Sequence, residues 1–121
     1  MINHIKIAPN FLLSEFACPC CKLVKLDSLL LEKLQKLRDL TEGPLIITSG
    51  YRCSNENRRV GGVPHSYHLL GKAADVSSDM VSLERLLDLA AQIGFTGIGY
   101  YPRHNFLHLD IRERPLFWKG G

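Results

Sequence analysis

The chain has 121 residues, of which 45% are hydrophobic and 22% charged, and its formal net charge is +3. This length and composition are typical of one ordinary globular domain with a modest core. No run of lysine or arginine indicates a nucleic-acid-binding tail, and no apolar run approaches the roughly 18 residues of a membrane span. We therefore expect a single domain over residues 1–121, a monomer, without nucleic-acid partners or membrane insertion.

The N-terminal third predicts an irregular arm followed by the first main helix. The arm covers residues 5–16. Asp27 or Ser28 caps the helix, and the Gly43-Pro44 pair ends it. Apolar positions at helical spacing form its core-facing stripe: Leu30, Leu34 and Leu37, with Thr41 one turn on.

The rest of the chain predicts a small sheet, a short helix over 54–60 and a second amphipathic helix over 80–93. Strands are expected at 45–49, which is β-branched and should be buried, and at 72–76, 97–101 and 106–111. The last two strands form a hairpin, and the tail 112–121 should pack Phe117 or Trp118 before fraying. Because helices and strands are mixed without a βαβ rhythm, we predict an α+β fold, a mostly antiparallel sheet flanked by two main helices.

Two separated segments carry a candidate metal site. The strand predicted at 106–111 turns its aliphatic residues to the core, so His108 and Asp110 face a cleft. Upstream, His68 and Asp75 are too far apart for one helix face but suit a turn that runs into a strand. Two imidazoles, one carboxylate and an open fourth position are typical of a catalytic zinc site. We therefore predict that Zn²⁺ is bound by His68, Asp75 and His108.

These residues carry a resemblance to a known family. The strings are Ser49-Gly50-Tyr51-Arg52, Asn57-x-x-Val60-Gly61-Gly62, Ser66-x-His68-x-x-Gly71-x-Ala73-x-Asp75 and, further on, His108. Together they resemble the zinc D-alanyl-D-alanine carboxypeptidase family, which shares its fold with the hedgehog signalling domain. The resemblance covers residues 15–112. It implies a zinc peptidase that acts on peptidoglycan stem peptides, as a carboxypeptidase or as an endopeptidase.

The resemblance also implies where such a protein acts. Residues 1–10 lack the apolar segment of a signal peptide, so we expect synthesis in the cytoplasm. The target is then the bacterial cell wall, and release as a phage lysis enzyme is one route to it. The alternative function is a zinc-bearing binding or structural module that keeps the fold without turnover, as the hedgehog domain suggests.

Arg52 and Ser66 are candidate catalytic residues beside the metal. A guanidinium offers two parallel hydrogen bonds to a carboxylate, so Arg52 is expected to hold the substrate. Its alternative role is a surface ion pair. Ser66 is expected to donate to the substrate backbone or to orient the His68 loop; a hydroxyl that only caps a turn is the alternative.

The general base is the least defined part of the predicted site. Related enzymes carry an acid three residues before the last zinc histidine, where this chain has Asn105. Asp110 is the nearest substitute base, and its alternative role is to accept a hydrogen bond that fixes the His108 ring. His104, in the hairpin turn, is a third candidate for proton transfer.

The four cysteines are Cys18, Cys20, Cys21 and Cys53. A second, structural zinc on four thiolates normally needs two Cys-x-x-Cys pairs, which this spacing lacks. A disulfide from Cys53 to the N-terminal cluster is another possibility. Reduced, partly buried thiols are favoured for a chain made in the cytoplasm.

Overall fold

A computed structural model describes residues 5–121, which fold as an α+β domain as predicted. The strands are β1 Lys6–Ala8, β2 Phe11–Leu12, β3 Ile46–Ser49, β4 Ala73–Ser77, β5 Gly97–Tyr101, β6 Phe106–Asp110 and β7 Leu116–Lys119. The helices are α1 Ser28–Thr41, α2 Ser54–Arg59 and α3 Leu83–Ile93, with 3-10 turns at Leu13–Phe16 and Tyr67–Leu70.

Local sequence signals explain where the two long helices begin and end. The Asp27 carboxylate accepts a hydrogen bond from the Leu29 amide at 2.8 Å and caps α1. Ser82 caps α3 in the same way, so this helix starts three residues later than the predicted position 80. Gly94, with a φ of 95°, ends it. No helix within residues 5–121 is long and apolar enough to cross a lipid bilayer.

The main sheet has the strand order β3-β4-β6-β5-β7, and its pairs are antiparallel except β5 with β7. Two predictions about it were wrong in part. The strand at 45–49 is only partly buried: Leu45 lies in the core, but β3 is at the sheet edge, where Ile46 is 38% exposed. The tail packs Trp118 against His108 and Tyr101 and leaves Phe117 exposed, but it does not fray, because residues 116–119 pair with β5.

The two faces of the central strands have different environments. On one face, the aliphatic side chains of β4 and β6 pack against α1 and α3, and all of them are buried: Ala74, Val76, Leu107 and Leu109. The other face carries Asp75 on β4 and His108 on β6, which are direct partners in the strand register. The helices therefore cover one face of the sheet, and polar residues gather on the other.

The N-terminal arm is more ordered than predicted, since β1 pairs with β2 and a 3-10 turn follows. Phe11 and Phe16 are buried, and their ring centroids lie 5.8 Å apart. The Phe16 carbonyl accepts a hydrogen bond from the Tyr51 amide at 2.9 Å. This bond attaches the arm to the segment that follows β3.

Gly71 should be the most sensitive glycine of the loop before β4. Its φ is 71°, and an added Cβ would lie 2.5 Å from the backbone of Lys25. Gly61 has a similar φ of 74° but open space around it. We expect Gly61→Ala to cost about 1–2 kcal/mol from the left-handed conformation alone. Gly71→Ala should cost clearly more, since backbone must also move; urea unfolding at fixed zinc would measure both, and equal losses would contradict this account.

Candidate metal centre and cleft

His68 is held by a short, strongly constrained turn. The Ser66 hydroxyl accepts a hydrogen bond from the His68 amide at 3.2 Å and caps the 3-10 turn, and Gly71 ends it in the left-handed region. The ring is almost fully buried, and its Nδ1 lies 2.7 Å from the Gly50 carbonyl oxygen. Backbone contacts at both ends therefore fix the position and the rotation of this imidazole.

The predicted ligand atoms converge on one point. Asp75 Oδ1 lies 3.2 Å from His68 Nε2 and 3.3 Å from His108 Nδ1. The three candidate ligand atoms all lie within 4.8 Å of one another. The strand register explains part of this, because Asp75 and His108 are opposite each other on paired strands.

The hydrogen bonds behind the two rings fit a bound cation. His68 Nδ1 faces a carbonyl oxygen, so it must donate, and the lone pair of the neutral ring is on Nε2. His108 Nε2 lies 2.7 Å from Asp110 Oδ2, which leaves the lone pair of that ring on Nδ1. The two nitrogen lone pairs and the Asp75 carboxylate then face one another. This arrangement of ligand atoms can bind a divalent cation. Two imidazole nitrogens and one carboxylate oxygen suit zinc.

The charges around Asp75 are strongly coupled. Without a metal the two rings can each take up a second proton. Burial alone would raise the pKa of Asp75, but hydrogen bonds from the protonated His108 and His68 rings and their positive charge lower it well below its usual range. Burial lowers the pKa of His108, whereas contacts with Asp110 and Asp75 raise it, and the net shift is upward. Asp75 is therefore an anion at any working pH of the protein.

Arg52 directly contacts the metal set, that is, the three candidate ligands His68, Asp75 and His108. Its Nη2 lies 3.0 Å from Asp75 Oδ2, its Nε donates to Ser49 and its Nη1 to Asn57. The guanidinium also lines the cleft. The sequence did not indicate the ion pair with Asp75, because 23 residues separate the two positions.

Asp110 lies behind the site. It is fully buried, and Arg112 Nε donates to both of its oxygens, at 2.9 and 3.1 Å. Burial would raise the pKa of Asp110, but the Arg112 and His108 contacts lower it well below its usual range. Gly97, its partner on β5, provides the space, since an added Cβ would overlap the carboxylate. Asp110 does not line the cleft and reaches the metal set through His108.

The metal set forms the floor of a cleft of about 650 Å³. One wall is aromatic: Tyr101 stacks on Phe106 with ring centroids 4.5 Å apart, and Trp118 Nε1 donates to the Tyr101 hydroxyl at 2.9 Å. His65 lines the opening outside the metal set. Among residues 5–121, the lining includes no carboxylate other than Asp75.

Asn105, which stands where related enzymes carry the acid, and His104, the third candidate for proton transfer, do not line this cleft. Both are exposed in the β5–β6 turn. Asn105 has a φ of 53°, a left-handed conformation that asparagine adopts more readily than most residues. Its presence at this position is thus explained by the turn.

Trp118 is the part of the site that sequence reasoning missed most clearly. Its ring centroid lies 5.1 Å from that of His108, and the Arg112 guanidinium lies 5.0 Å from its ring. The one signal was the glycine spacing in β5: Gly99 faces His108, and an added Cβ there would overlap Trp118. Two glycines on one face of a strand indicate that other groups approach that face closely.

Comparisons with known proteins agree with the predicted resemblance. A model of the peptidase M15 family matches residues 9–110. The peptidoglycan L,D-endopeptidase MepK of Escherichia coli (strain K12) is 33% identical over 96 residues, which cover 74% of this chain and 53% of that protein. The probable MepK of Haemophilus influenzae is 33% identical over 104 residues, 79% of this chain and 55% of that protein.

A third relative is the zinc D-Ala-D-Ala carboxypeptidase of Streptomyces albus G. It is 36% identical over 76 residues, which cover 60% of this chain and 30% of that protein. The chain thus spans about half the length of the MepK relatives that it matches. The family match takes in both segments that build the metal set, from the turn before β4 to the end of β6. The chain belongs to the peptidase M15 family.

Proposed function

We propose that this chain is a zinc-dependent peptidase that cleaves peptidoglycan stem peptides. The observation that carries the proposal is the convergence of His68, Asp75 and His108 at the floor of an open cleft. The names of the relatives, a peptidoglycan endopeptidase and a zinc carboxypeptidase, support the substrate class. When bound, zinc supplies Lewis-acid activation of water and of the scissile carbonyl.

Arg52 has two roles in this proposal. Its ion pair with Asp75 holds the carboxylate toward the two histidines. A guanidinium has five N–H donors, and Ser49, Asn57 and Asp75 take three. The remaining donors serve a substrate carboxylate or carbonyl in the cleft. Ser66 caps the His68 turn as an acceptor, and its own hydroxyl proton remains for the substrate backbone.

Asp110 acts in this proposal as a positioning residue rather than as the general base. It is fully buried and ion-paired with Arg112, and its contact with the site is the hydrogen bond to His108 Nε2. That bond keeps His108 Nδ1 free for the metal. His65 is an imidazole at the cleft opening that can accept a proton from a water or donate one to the leaving amine.

The site of action follows from the substrate class. Peptidoglycan places the protein at the bacterial cell wall, acting as a monomer with one domain over residues 1–121. Release as a phage lysis enzyme stays a prediction. An inert, zinc-bearing module of the same fold is the rival function, favoured by a cleft lining whose only carboxylate, among residues 5–121, is Asp75.

Metal content and turnover together test the main proposal. Purified muropeptides incubated with the zinc-loaded protein should lose either a terminal D-alanine or an internal stem-peptide bond, which mass spectrometry distinguishes. His68→Ala and His108→Ala should lose the metal of this site and nearly all turnover. A zinc-loaded parent that leaves every muropeptide intact would favour the rival module. Variants that keep full zinc at this site would refute the ligand assignment itself.

Replacing Arg52 should affect the metal as well as the substrate. We expect Arg52→Ala to lower catalytic efficiency about 10- to 150-fold, the worth of a charge-assisted hydrogen bond, and to weaken zinc binding about 10- to 100-fold. Competition with a chromogenic chelator measures the second effect. Arg59→Ala is the matched control, because its side chain is 69% exposed and pairs with Glu56. If the Arg52 variant keeps the zinc affinity and the kinetics of the parent, then the role of Arg52 is limited to a structural ion pair.

Asp110→Asn and Asn105→Asp separate a positioning residue from a general base. Asp110→Asn should weaken zinc binding about 10- to 100-fold, and excess zinc should restore most of its activity. Loss of a general base would instead persist in the zinc-saturated variant at about 100- to 10,000-fold. Asn105→Asp should change kcat little, since position 105 lies in the exposed turn. A large gain in that variant would show that the missing carboxylate belongs there.

A further inference from the structure

Three cysteine sulfurs form a second cluster, away from the histidine site. The Sγ atoms of Cys18, Cys21 and Cys53 all lie within 4.8 Å of one another. Cys18 Sγ and Cys53 Sγ are 3.7 Å apart. Sulfurs at about 2.3 Å from a tetrahedral zinc lie about 3.8 Å from each other, whereas a disulfide joins them at about 2.05 Å. The observed separation fits two ligands of one metal ion.

The backbone around Cys18 has the form of a metal-binding turn. Cys18 and Cys21 are a Cys-x-x-Cys pair, and the Lys22 amide donates to the Cys18 carbonyl at 2.9 Å. Lys22 has a left-handed φ of 65°, which turns the chain back so that the Cys18 amide reaches the Leu23 carbonyl at 2.8 Å. A tight turn after a Cys-x-x-Cys pair brings both thiols to the same side.

A backbone N–H group points at the buried sulfur of Cys18. The Cys53 amide donates to Cys18 Sγ at 3.4 Å. A buried sulfur that accepts from a backbone N–H, beside two further thiols, gains from a cation that pairs with all of them.

We propose that Cys18, Cys21 and Cys53 bind a second zinc ion, with Cys20 as the fourth ligand. Cys20 is exposed and directly precedes Cys21 in the chain, so rotation about its side-chain bond can bring its thiol to the metal. A zinc site on four thiolates normally has two Cys-x-x-Cys pairs. One such pair is present, and the long-range partner, Cys53, precedes α2.

The second zinc would fasten the arm to the segment that supports the catalytic site. Cys18 follows Phe16, whose carbonyl holds the Tyr51 amide, and Cys53 follows Arg52 directly. Gly50, in the same segment, holds His68 by its carbonyl. The role of this metal is therefore structural, and four thiolates would leave it no open position.

Zinc and thiol counts on the parent protein test the proposal without any substitution. Protein prepared anaerobically with reductant should hold two zinc ions per chain. Titration of the thiols with an organomercurial should release one of them, measured with a chromogenic chelator, as the four thiols react. Thiols that react freely while releasing no zinc would overturn the proposal. In a matched sample prepared without reductant, two thiols that appear only after reduction, without a second zinc, would establish a disulfide instead.

Variants then assign that zinc to the cysteines. Cys21→Ser and Cys53→Ser should each hold one zinc, and the His68→Ala/His108→Ala double variant should also hold one. Replacement by Co²⁺ distinguishes the two, because thiolate-to-metal charge-transfer absorption should persist in the double histidine variant and vanish from the cysteine variants. Cys20→Ser should keep two zinc ions but release one to the chelator at least several-fold faster than the parent. Parental release would remove Cys20 from the ligand set, and two tightly held zinc ions in Cys21→Ser would overturn the site.

Discussion

The carboxylate of Asp75 is the group on which the rest of the site depends. It is 7% exposed, so its charge is mostly withdrawn from water, at an effective cost of several kcal/mol unless partners compensate. Arg52 supplies an ion pair on one oxygen, and His68 and His108 face the other. These partners come from the segment after β3, from a 3-10 turn and from β6. Every one of those elements must be in place for the carboxylate to be tolerated.

A second set of contacts determines which nitrogen each histidine presents. The Gly50 carbonyl lies behind His68, and Asp110 lies behind His108, so the two rings offer Nε2 and Nδ1 respectively. Asp110 can occupy its buried position because Gly97 leaves room for it and Arg112 neutralises it. The site is thus determined as much by its surroundings as by its three candidate ligands, and these surroundings are spread over the whole sheet.

Local signals predicted much of this protein from sequence. Caps and apolar periodicity predicted both long helices, and the β5–β6 hairpin has nearly the predicted bounds. The predicted metal residues do lie together, because the turn at Gly71 and the alternation along β6 are both short-range features. The features that the sequence did not predict depend on contacts between segments that are distant in the chain. The edge position of β3, the pairing of β7 and the ion pair of Arg52 depend on which segments become neighbours, and no local periodicity encodes that.

The segment of residues 50–53 shows how closely the two candidate sites are linked. In four consecutive residues, Gly50 holds His68, Tyr51 bonds to the arm, Arg52 holds Asp75 and Cys53 joins the sulfur cluster. Such a short loop, with β3 ending just before it at the sheet edge, has few sheet contacts of its own to keep it rigid. A metal on the cysteines would remove the freedom of this loop at one end. The strand register would then fix Asp75 and His108, and the sulfur cluster would fix the loop that holds His68 and Asp75 in place.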